Sequence, residues 1–193
     1  MVRWVVFDYG EVISLRTPEL PSLAALLETG EADFERAYWA ERDRYDSGAS
    51  DVEYWRAVAA RLGKTADDAL VARLTALDVA GWLNTDPAAL ELVEELHRRD
   101  VPLAMLSNAS STFGRAVERK SWARRFKHLL FSGDLGVAKP DPRIYRVLTE
   151  TLRAAPEECA FFDDRQDNVD AARRAGLVAH RWSGADAARR SLA

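Results

Sequence analysis

Five short apolar segments, separated by stretches with the periodicity of amphipathic helices, constrain the fold of this chain more than any other feature. They are predicted strands at Trp4 to Phe7, Val101 to Leu106, His128 to Phe131, Ala160 to Phe162 and Leu177 to Ala179. Strands that alternate with helices form a mostly parallel sheet covered by helices on both faces. The sequence therefore predicts an α/β fold.

Two of the predicted helices begin with the same dipeptide. Asp86-Pro87 and Asp141-Pro142 each supply an N-cap followed by a first-turn proline. After the first pair, apolar residues recur at helical spacing as far as Leu96. Gly176 ends the helix that precedes the last predicted strand.

The first two predicted strands lie too far apart for a simple strand-helix-strand unit. Asp8 and Ser107, which follow these strands, are 99 residues apart, whereas the later strand-end positions are 32 and 25 residues apart. The excess contains helix signals, such as the capping box Ser50-Asp51-Val52-Glu53 and a helix start at Thr65. We predict an all-helical cap over residues 15–85, inserted after the first strand, and a core of residues 1–14 and 86–193. A cap placed there would cover the carboxyl ends of the strands, where open parallel sheets bind ligands.

Polar residues follow four consecutive strand-like segments. They are Asp8, Ser107-Asn108, Lys139 and Asp163-Asp164. Taken singly, each is explained as a helix cap, a turn or a solvated loop. Because the carboxyl ends of parallel strands meet at one edge, the ordered set predicts a common site.

These residue types suit phosphoryl transfer. The carboxylate of Asp8 can attack phosphorus and form an aspartyl phosphate, provided that the phosphoryl charge is neutralised. A Mg²⁺ ion held by Asp8 and Asp164, together with Lys139, would neutralise it, and the Ser107 hydroxyl would hold a phosphoryl oxygen. The sequence has no His/Cys cluster with zinc-ligand spacing, so Mg²⁺ is the expected cofactor.

Four segments, in order, resemble the signature motifs of the haloacid dehalogenase (HAD) superfamily. They are Phe7-Asp8-Tyr9-Gly10, Leu106-Ser107-Asn108, the segment 133–140 and the segment 161–168. The resemblance implies a Rossmann-like core with a helical cap, in a hydrolase similar to small bacterial sugar-phosphate phosphatases. It also implies catalytic residues Asp8 (the nucleophile), Ser107 and Lys139; substrate-binding residues Ser107, Asn108 and Lys139; a metal site of Asp8, Asp164 and the Gly10 carbonyl; and Asp163 and Asn168 as positioners of metal or water.

Gly10 departs from the pattern of most phosphatases in this superfamily, in which a second aspartate protonates the leaving group. Such proton transfer is worth roughly 10²- to 10⁴-fold in rate. Three explanations stay open: an easily displaced leaving group, such as an anomeric phosphate; a proton donor from the cap or the substrate; or loss of catalysis. Glu11 is a candidate substitute, although its side chain is expected to point elsewhere.

Two other functions stay open beside the phosphatase. A 2-haloacid dehalogenase needs no general acid, which would account for Gly10, but it needs no metal either. The adjacent carboxylates Asp163 and Asp164 would repel Asp8 without a cation, so they favour phosphoryl transfer. The third hypothesis is a metabolite-binding or regulatory protein with little turnover, although an intact Asp8, Lys139 and Asp164 argue against it.

Charge and hydropathy narrow the classes of partner. The chain has 27 Lys+Arg and 31 Asp+Glu, a net charge of −4, and no segment concentrates positive charge as a nucleic-acid or anionic-lipid surface would. No run approaches the roughly 20 apolar residues of a membrane span, and the N-terminal apolar run is too short for a signal peptide. We expect a cytoplasmic monomer or homodimer that acts on a small phosphorylated metabolite, without nucleic acid or membrane.

Specificity is expected to lie in the predicted cap. Its aromatic residues Trp39, Tyr45, Tyr54 and Trp55 are candidates for stacking on a substrate, but aromatic residues at helical spacing are more typical of packing. Arg42 and Arg44 are interpreted as solvated charges rather than as ligands of an anionic substrate.

Overall fold

The five predicted strands form one parallel sheet in the computed structural model, which describes residues 2–192. The strands are β1 (Trp4–Phe7), β2 (Leu103–Ser107), β3 (His128–Phe131), β4 (Cys159–Asp163) and β5 (Val178–Arg181). Their order in the sheet is β3-β2-β1-β4-β5, and every neighbouring pair is parallel. The predicted α/β fold is confirmed, and β1 is its central strand.

Within residues 2–192, five α-helices lie between β1 and β2, and five more connect or follow the later strands. The first four are α1 (Leu20–Leu26), α2 (Glu31–Asp46), α3 (Asp51–Arg61) and α4 (Asp68–Trp82). The others are α5 (Pro87–Arg98), α6 (Ser111–Glu118), α7 (Ser132–Leu135), α8 (Pro142–Leu152), α9 (Gln166–Arg174) and α10 (Ala185–Leu192). Asp86 and Asp141 cap α5 and α8 as predicted, since each side-chain oxygen accepts a backbone N–H of the first turn.

Alternate residues of the strands pack on opposite faces of the sheet. Val5 and Phe7 of β1 lie in a cluster with Leu92 of α5, whereas Val6 lies in a second cluster with Ile144 of α8. All five side chains are almost fully buried, and burial of an apolar side chain of this size contributes about 1.5–3 kcal/mol. Helices on both faces therefore hold the sheet that positions the strand ends.

Two strands begin later than predicted, and both shifts have the same cause. The backbone N–H of Val101 donates to the carbonyl of Leu96, and that of Leu177 donates to Ala172, so each apolar residue closes the preceding helix. The turn before Leu177 uses Gly176 in a left-handed conformation. These residues are apolar because they pack against helix ends, not because they pair in the sheet.

The four helices between β1 and α5 have a hydrophobic cluster of their own. It includes Phe34 and Tyr38 of α2, Trp55 of α3 and Leu74 of α4. The segment begins and ends at an isolated antiparallel bridge between Ser14 and Thr85. We call α1–α4 the cap, and we propose the predicted limits 15–85 as its boundaries.

The described part of the chain, residues 2–192, contains no helix that is both long enough and apolar enough to cross a membrane.

Candidate active site

The strand-end residues meet around a single cavity of about 340 Å³ between the sheet and the cap. Asp8, Ser107, Asn108 and Asp164 line its core side, and Gly10 also lies in its wall. Lys139 and Asp163 are buried behind this wall. The parallel sheet thus brings together the predicted site residues, although they come from widely separated segments.

Asp8 is held by contacts to one of its two carboxylate oxygens. Its Oδ1 accepts the backbone N–H of Tyr9 at 2.6 Å and forms an ion pair with Lys139 Nζ at 2.8 Å. Its Oδ2 accepts no hydrogen bond from residues 2–192. One oxygen is therefore held by the protein, and the other has no partner among the described residues of a carboxylate that lines the cavity.

Both carboxylate oxygens of Asp163 accept hydrogen bonds from protein groups. Lys139 Nζ donates to Oδ2 at 2.6 Å, the Asn168 amide donates to both oxygens, and the backbone N–H of Arg165 donates to Oδ1. This carboxylate is fully buried. Its contact with Lys139 Nζ holds the ammonium group beside Asp8.

Asn108 holds the backbone of Lys139 in a two-point contact. Its Nδ2 donates to the Lys139 carbonyl at 2.8 Å, and its Oδ1 accepts the Lys139 N–H at 2.8 Å. Ser107, at the end of β2, forms no side-chain hydrogen bond within the described residues, so its hydroxyl is available to a ligand. The geometry thus separates the roles predicted for these neighbours: Ser107 offers its side chain to the cavity, whereas Asn108 supports Lys139.

Three carboxylates share this site with a single ammonium group. Oxygens of Asp8, Asp163 and Asp164 lie within 4.8 Å of one another. Burial raises the pKa of Asp8 to about 8, although Lys139 lowers it, and burial together with Asp163 and Glu11 raises the pKa of Asp164 to about 6. Burial acts to lower the pKa of Lys139, but the charges of Asp163 and Asp8 outweigh burial and raise it. The site therefore has an excess of negative charge.

The donor set fits a hard divalent cation. Asp8 and Asp164 offer carboxylate oxygens, which Mg²⁺ prefers. Asn168 is almost fully buried and lies in the cavity wall, and its Oδ1 has no hydrogen-bond partner within the described residues. An unpartnered buried oxygen next to under-compensated carboxylates is the environment that a cation or its water ligands would complete.

Neither crowding nor backbone strain requires the glycine at position 10. Its φ angle is not among the positive ones, and a Cβ built there would lie 3.9 Å from the nearest atom, on the Trp82 ring. Glu11, by contrast, has a left-handed φ of 52° and lies in the cavity wall. Its charge reaches Asp164, whose pKa it helps to raise.

On the cap side, Arg42 is buried, which contradicts its interpretation as a solvated charge. Its Nε donates to Asp46 at 3.1 Å, and its Nη1 donates to Asp78 at 3.2 Å and to the Tyr38 hydroxyl. The guanidinium also lies over the Tyr45 ring, 5.4 Å from its centroid. Arg42 is buried because Asp78, 36 residues away in sequence, supplies the second carboxylate. Arg44, in contrast, is exposed and pairs with Glu53.

The aromatic residues of the cap divide between packing and the cavity. Tyr45, Tyr54 and Trp55 are buried, in agreement with the packing interpretation. Trp39 is 39% exposed and lines the cavity together with Trp82, and the two ring centroids are 6.3 Å apart. Only the position of Trp39 matches the stacking hypothesis.

The sequence comparisons agree with this geometry. The model of the haloacid dehalogenase-like hydrolase family matches residues 2–176. The chain belongs to this family of hydrolases. The resemblance inferred from the four motifs is thereby confirmed.

Among relatives of this hydrolase are two bacterial phosphatases. A phosphatase of Mycobacterium tuberculosis is 34% identical over 121 residues, which cover 62% of this chain and 54% of that protein. A phosphoserine phosphatase of Thermus thermophilus is 37% identical over 95 residues, which cover 48% of this chain and 38% of that protein. The matched regions thus span about half, or less, of the length of these relatives.

Solved structures of this hydrolase family share the fold. An L-2-haloacid dehalogenase of Xanthobacter autotrophicus has a TM-score of 0.77 at 20% identity, covering 94% of this chain and 77% of that one. A HAD family enzyme of Bacteroides thetaiotaomicron, in complex with magnesium and inorganic phosphate, has a TM-score of 0.72 at 19% identity, covering 94% of each chain. At such identities the likeness establishes the fold alone.

The sequence of α2 contains a signal for the burial of Arg42. Tyr38, Arg42 and Tyr45 recur at the i, i+4 and i+7 positions of α2, which places them on one helix face. A charged residue on an otherwise aromatic face is buried only with compensating partners. The i+4 partner, Asp46, was visible in the sequence, but the cross-helix partner Asp78 was not.

Proposed function

We propose that this hydrolase is a Mg²⁺-dependent phosphatase that acts on a small phosphorylated metabolite through an aspartyl phosphate on Asp8. The observation that carries the proposal is the group of three carboxylates compensated by one lysine, within 4.8 Å of one another. A divalent cation would balance this charge, and a phosphoryl group would then bind beside it. The named phosphatases among the relatives support the same reaction class.

The nucleophile in this mechanism is the oxygen of Asp8 that the protein leaves free. Its Oδ2 attacks phosphorus, a new P–O bond forms, and the bond between phosphorus and the substrate alcohol breaks with its electron pair on the alcohol oxygen. Tyr9 N–H and Lys139 hold the other oxygen and fix the direction of attack. Water then attacks phosphorus, and the P–O bond to Asp8 breaks with its electron pair on the Asp8 carboxylate. The proton that the water loses passes to solvent, and solvent supplies the proton that the alcohol oxygen gains.

The remaining groups neutralise and orient the phosphoryl oxygens. Lys139 carries its charge on a nearly inaccessible side chain, so water screens that charge weakly. Ser107 offers a hydroxyl hydrogen bond. Asp8, Asp164 and the Gly10 carbonyl would hold Mg²⁺, with Asn168 as the partner of a metal-bound water. The ion, when bound, would supply electrostatic stabilisation of the phosphoryl charge.

The leaving alkoxide lacks the proton donor that an aspartate at position 10 would provide. Gly10 has no side chain, and Glu11 directs its charge towards Asp164. Esters whose alcohol leaves easily should therefore react fastest, because they depend least on general acid catalysis.

The test is a panel of sugar phosphates and p-nitrophenyl phosphate, assayed with Mg²⁺ or EDTA on the native protein and on Asp8→Asn. We expect Mg²⁺-dependent release of phosphate that Asp8→Asn abolishes. Retention of native turnover in EDTA would refute the metal dependence. Release of halide from a 2-haloacid without metal would replace the phosphatase by a dehalogenase, and ligand binding without any turnover would indicate a binding or regulatory protein.

A further inference from the structure

The cap side of the cavity carries more carboxylates than cations. Arg42, Asp43 and Asp46 lie in its wall, and Asp78 lies directly behind Arg42. Arg42 forms ion pairs with both Asp46 and Asp78. The two carboxylates together carry more negative charge than the one guanidinium group can neutralise. Asp43 adds a further carboxylate, and it forms no ion pair within residues 2–192. The surplus charge on this side is negative.

Among the described residues, the basic side chains on the core side are already paired with carboxylates. Arg165 is the other basic residue in the cavity wall, and Asp167 pairs with it at 2.8 Å. Lys139 is paired with Asp8 and Asp163, so its charge is already compensated at the phosphoryl end. With Mg²⁺ bound, the charges of Asp8, Asp163, Asp164 and Lys139 would be balanced before phosphate enters, and Glu11 adds a further carboxylate to the wall. No positive charge would then be left over to attract a second anionic group on the substrate.

The cap-side wall also has the surfaces that a hydroxylated alcohol requires. Trp39 and Trp82 of the cap provide aromatic, mostly apolar faces, and Phe113 of α6 adds a third from the core side. The carboxylates of Asp43 and Asp46 are acceptors for hydroxyl groups, and Arg42 Nη2 is a donor that forms no hydrogen bond with the described residues. A volume of about 340 Å³ is in the range of small-molecule sites and is too small for a folded macromolecular substrate.

We propose that the substrate is a phosphate monoester of a neutral hydroxylated alcohol, and that Asp43 and Asp46 exclude substrates with a second anionic group. This inference rests on the phosphatase function proposed above and narrows its substrate class. Like charges in a partly closed cavity repel strongly enough to decide between substrates of equal size. In this proposal Arg42 holds the carboxylates of Asp46 and Asp78 and donates a hydrogen bond to a substrate hydroxyl, and it does not bind an anionic group of the substrate.

Two compounds with the same phosphorylated three-carbon chain test the inference. Glycerol 3-phosphate ends in a hydroxymethyl group, whereas 3-phosphoglycerate ends in a carboxylate. Each is used as a competitor of p-nitrophenyl phosphate hydrolysis with Mg²⁺ at low ionic strength. We expect the inhibition constant of glycerol 3-phosphate to be about tenfold lower, and the difference to shrink in about 0.5 M salt.

Charge variants on α2 locate the source of the discrimination. Asp43→Asn removes a carboxylate that forms no ion pair, so it should reduce the ratio of the two inhibition constants by about threefold. Asp33→Asn, an exposed position on the same helix outside the cavity wall, should leave the ratio unchanged.

The outcomes separate this inference from the function on which it rests. Equal inhibition, stronger inhibition by 3-phosphoglycerate, inhibition by neither compound, or an unchanged ratio in Asp43→Asn would overturn the inference. Failure to hydrolyse p-nitrophenyl phosphate at all would instead refute the phosphatase proposal.

Discussion

Replacing Lys139 with methionine would remove the ammonium group that lies between two buried carboxylates. Its Nζ lies 2.8 Å from Asp8 Oδ1 and 2.6 Å from Asp163 Oδ2, and only 1% of the side chain is exposed. At an effective dielectric constant of about 20, each contact is worth roughly 6 kcal/mol of attraction, most of which offsets the desolvation of the charges. Loss of one partner from such a buried group costs about 3–5 kcal/mol.

We therefore expect Lys139→Met to lower the free energy of unfolding by about 3–5 kcal/mol at pH 7.5 in EDTA. Urea denaturation followed by circular dichroism measures this change. Lys64→Met is the matched control, since Lys64 is exposed and forms no ion pair within the described residues, and its effect should stay within about 0.5 kcal/mol.

A second substitution shows whether Lys139→Met is destabilised by the uncompensated charge of the carboxylates or by the loss of packing. Adding Asp8→Asn to Lys139→Met removes one of the unpaired carboxylates, so the double variant should be more stable than the single one. If Lys139→Met is unfolded at the start of the titration, the double variant should regain a cooperative transition. A loss below about 1 kcal/mol in Lys139→Met, or no recovery in the double variant, would refute the electrostatic account.

Two further predictions concern the cap and the missing acid. Burial raises the pKa of Asp46 from 3.8 to about 6, so ionisation of Asp46 opposes folding. The difference in unfolding free energy between the native protein and Asp46→Asn should favour the native protein most at about pH 4 and below. It should then decline by up to about 1.4 kcal/mol per pH unit until about pH 6. Urea denaturation at several pH values measures this difference. Gly10→Asp should place a carboxyl group where the backbone and Trp82 leave room for it, and should raise turnover of alkyl phosphates about 10- to 100-fold while changing p-nitrophenyl phosphate turnover little, in steady-state phosphate-release assays.

Each of these two predictions has a control and a contrary outcome. A difference between the native protein and Asp46→Asn that stays constant from pH 4 to 6 would contradict the raised pKa of Asp46. Gly30→Asp, at the N-cap of α2, adds the same charge outside the cavity wall and should leave the ratio of alkyl to aryl turnover unchanged. Equal changes for alkyl and aryl esters in Gly10→Asp would contradict the proton-donor explanation.

The elements that the sequence predicted well are those determined by local periodicity. Strands β1 and β3 have the predicted bounds, and the Asp-Pro pairs begin α5 and α8. Local caps also explain the errors, because Val101 and Leu177 have the apolar character of strand residues but close the preceding helices. Helix α4 begins three residues after its predicted start at Thr65, since Asp67 provides the N-cap.

The candidate site was predictable as far as topology alone determines it. Asp8, Ser107 and Asp164 follow strands of one parallel sheet, so they reach one edge whatever the details of packing. The different contacts of residues adjacent in sequence were not predictable. Asp163 and Asp164 are adjacent in sequence, yet the first is fully bonded to Lys139 and Asn168, whereas the second faces the cavity.

The sheet, the helices inserted after the first strand and the family motifs could all be read from the amino-acid sequence, because each depends on residues close together in the chain or on strand order. The charge of the cavity depends instead on contacts between distant segments. Arg42 is buried because the fold of the cap brings Asp78 of α4 to its guanidinium, a contact across 36 residues. Burial then gives these charges their effect, since water no longer screens them.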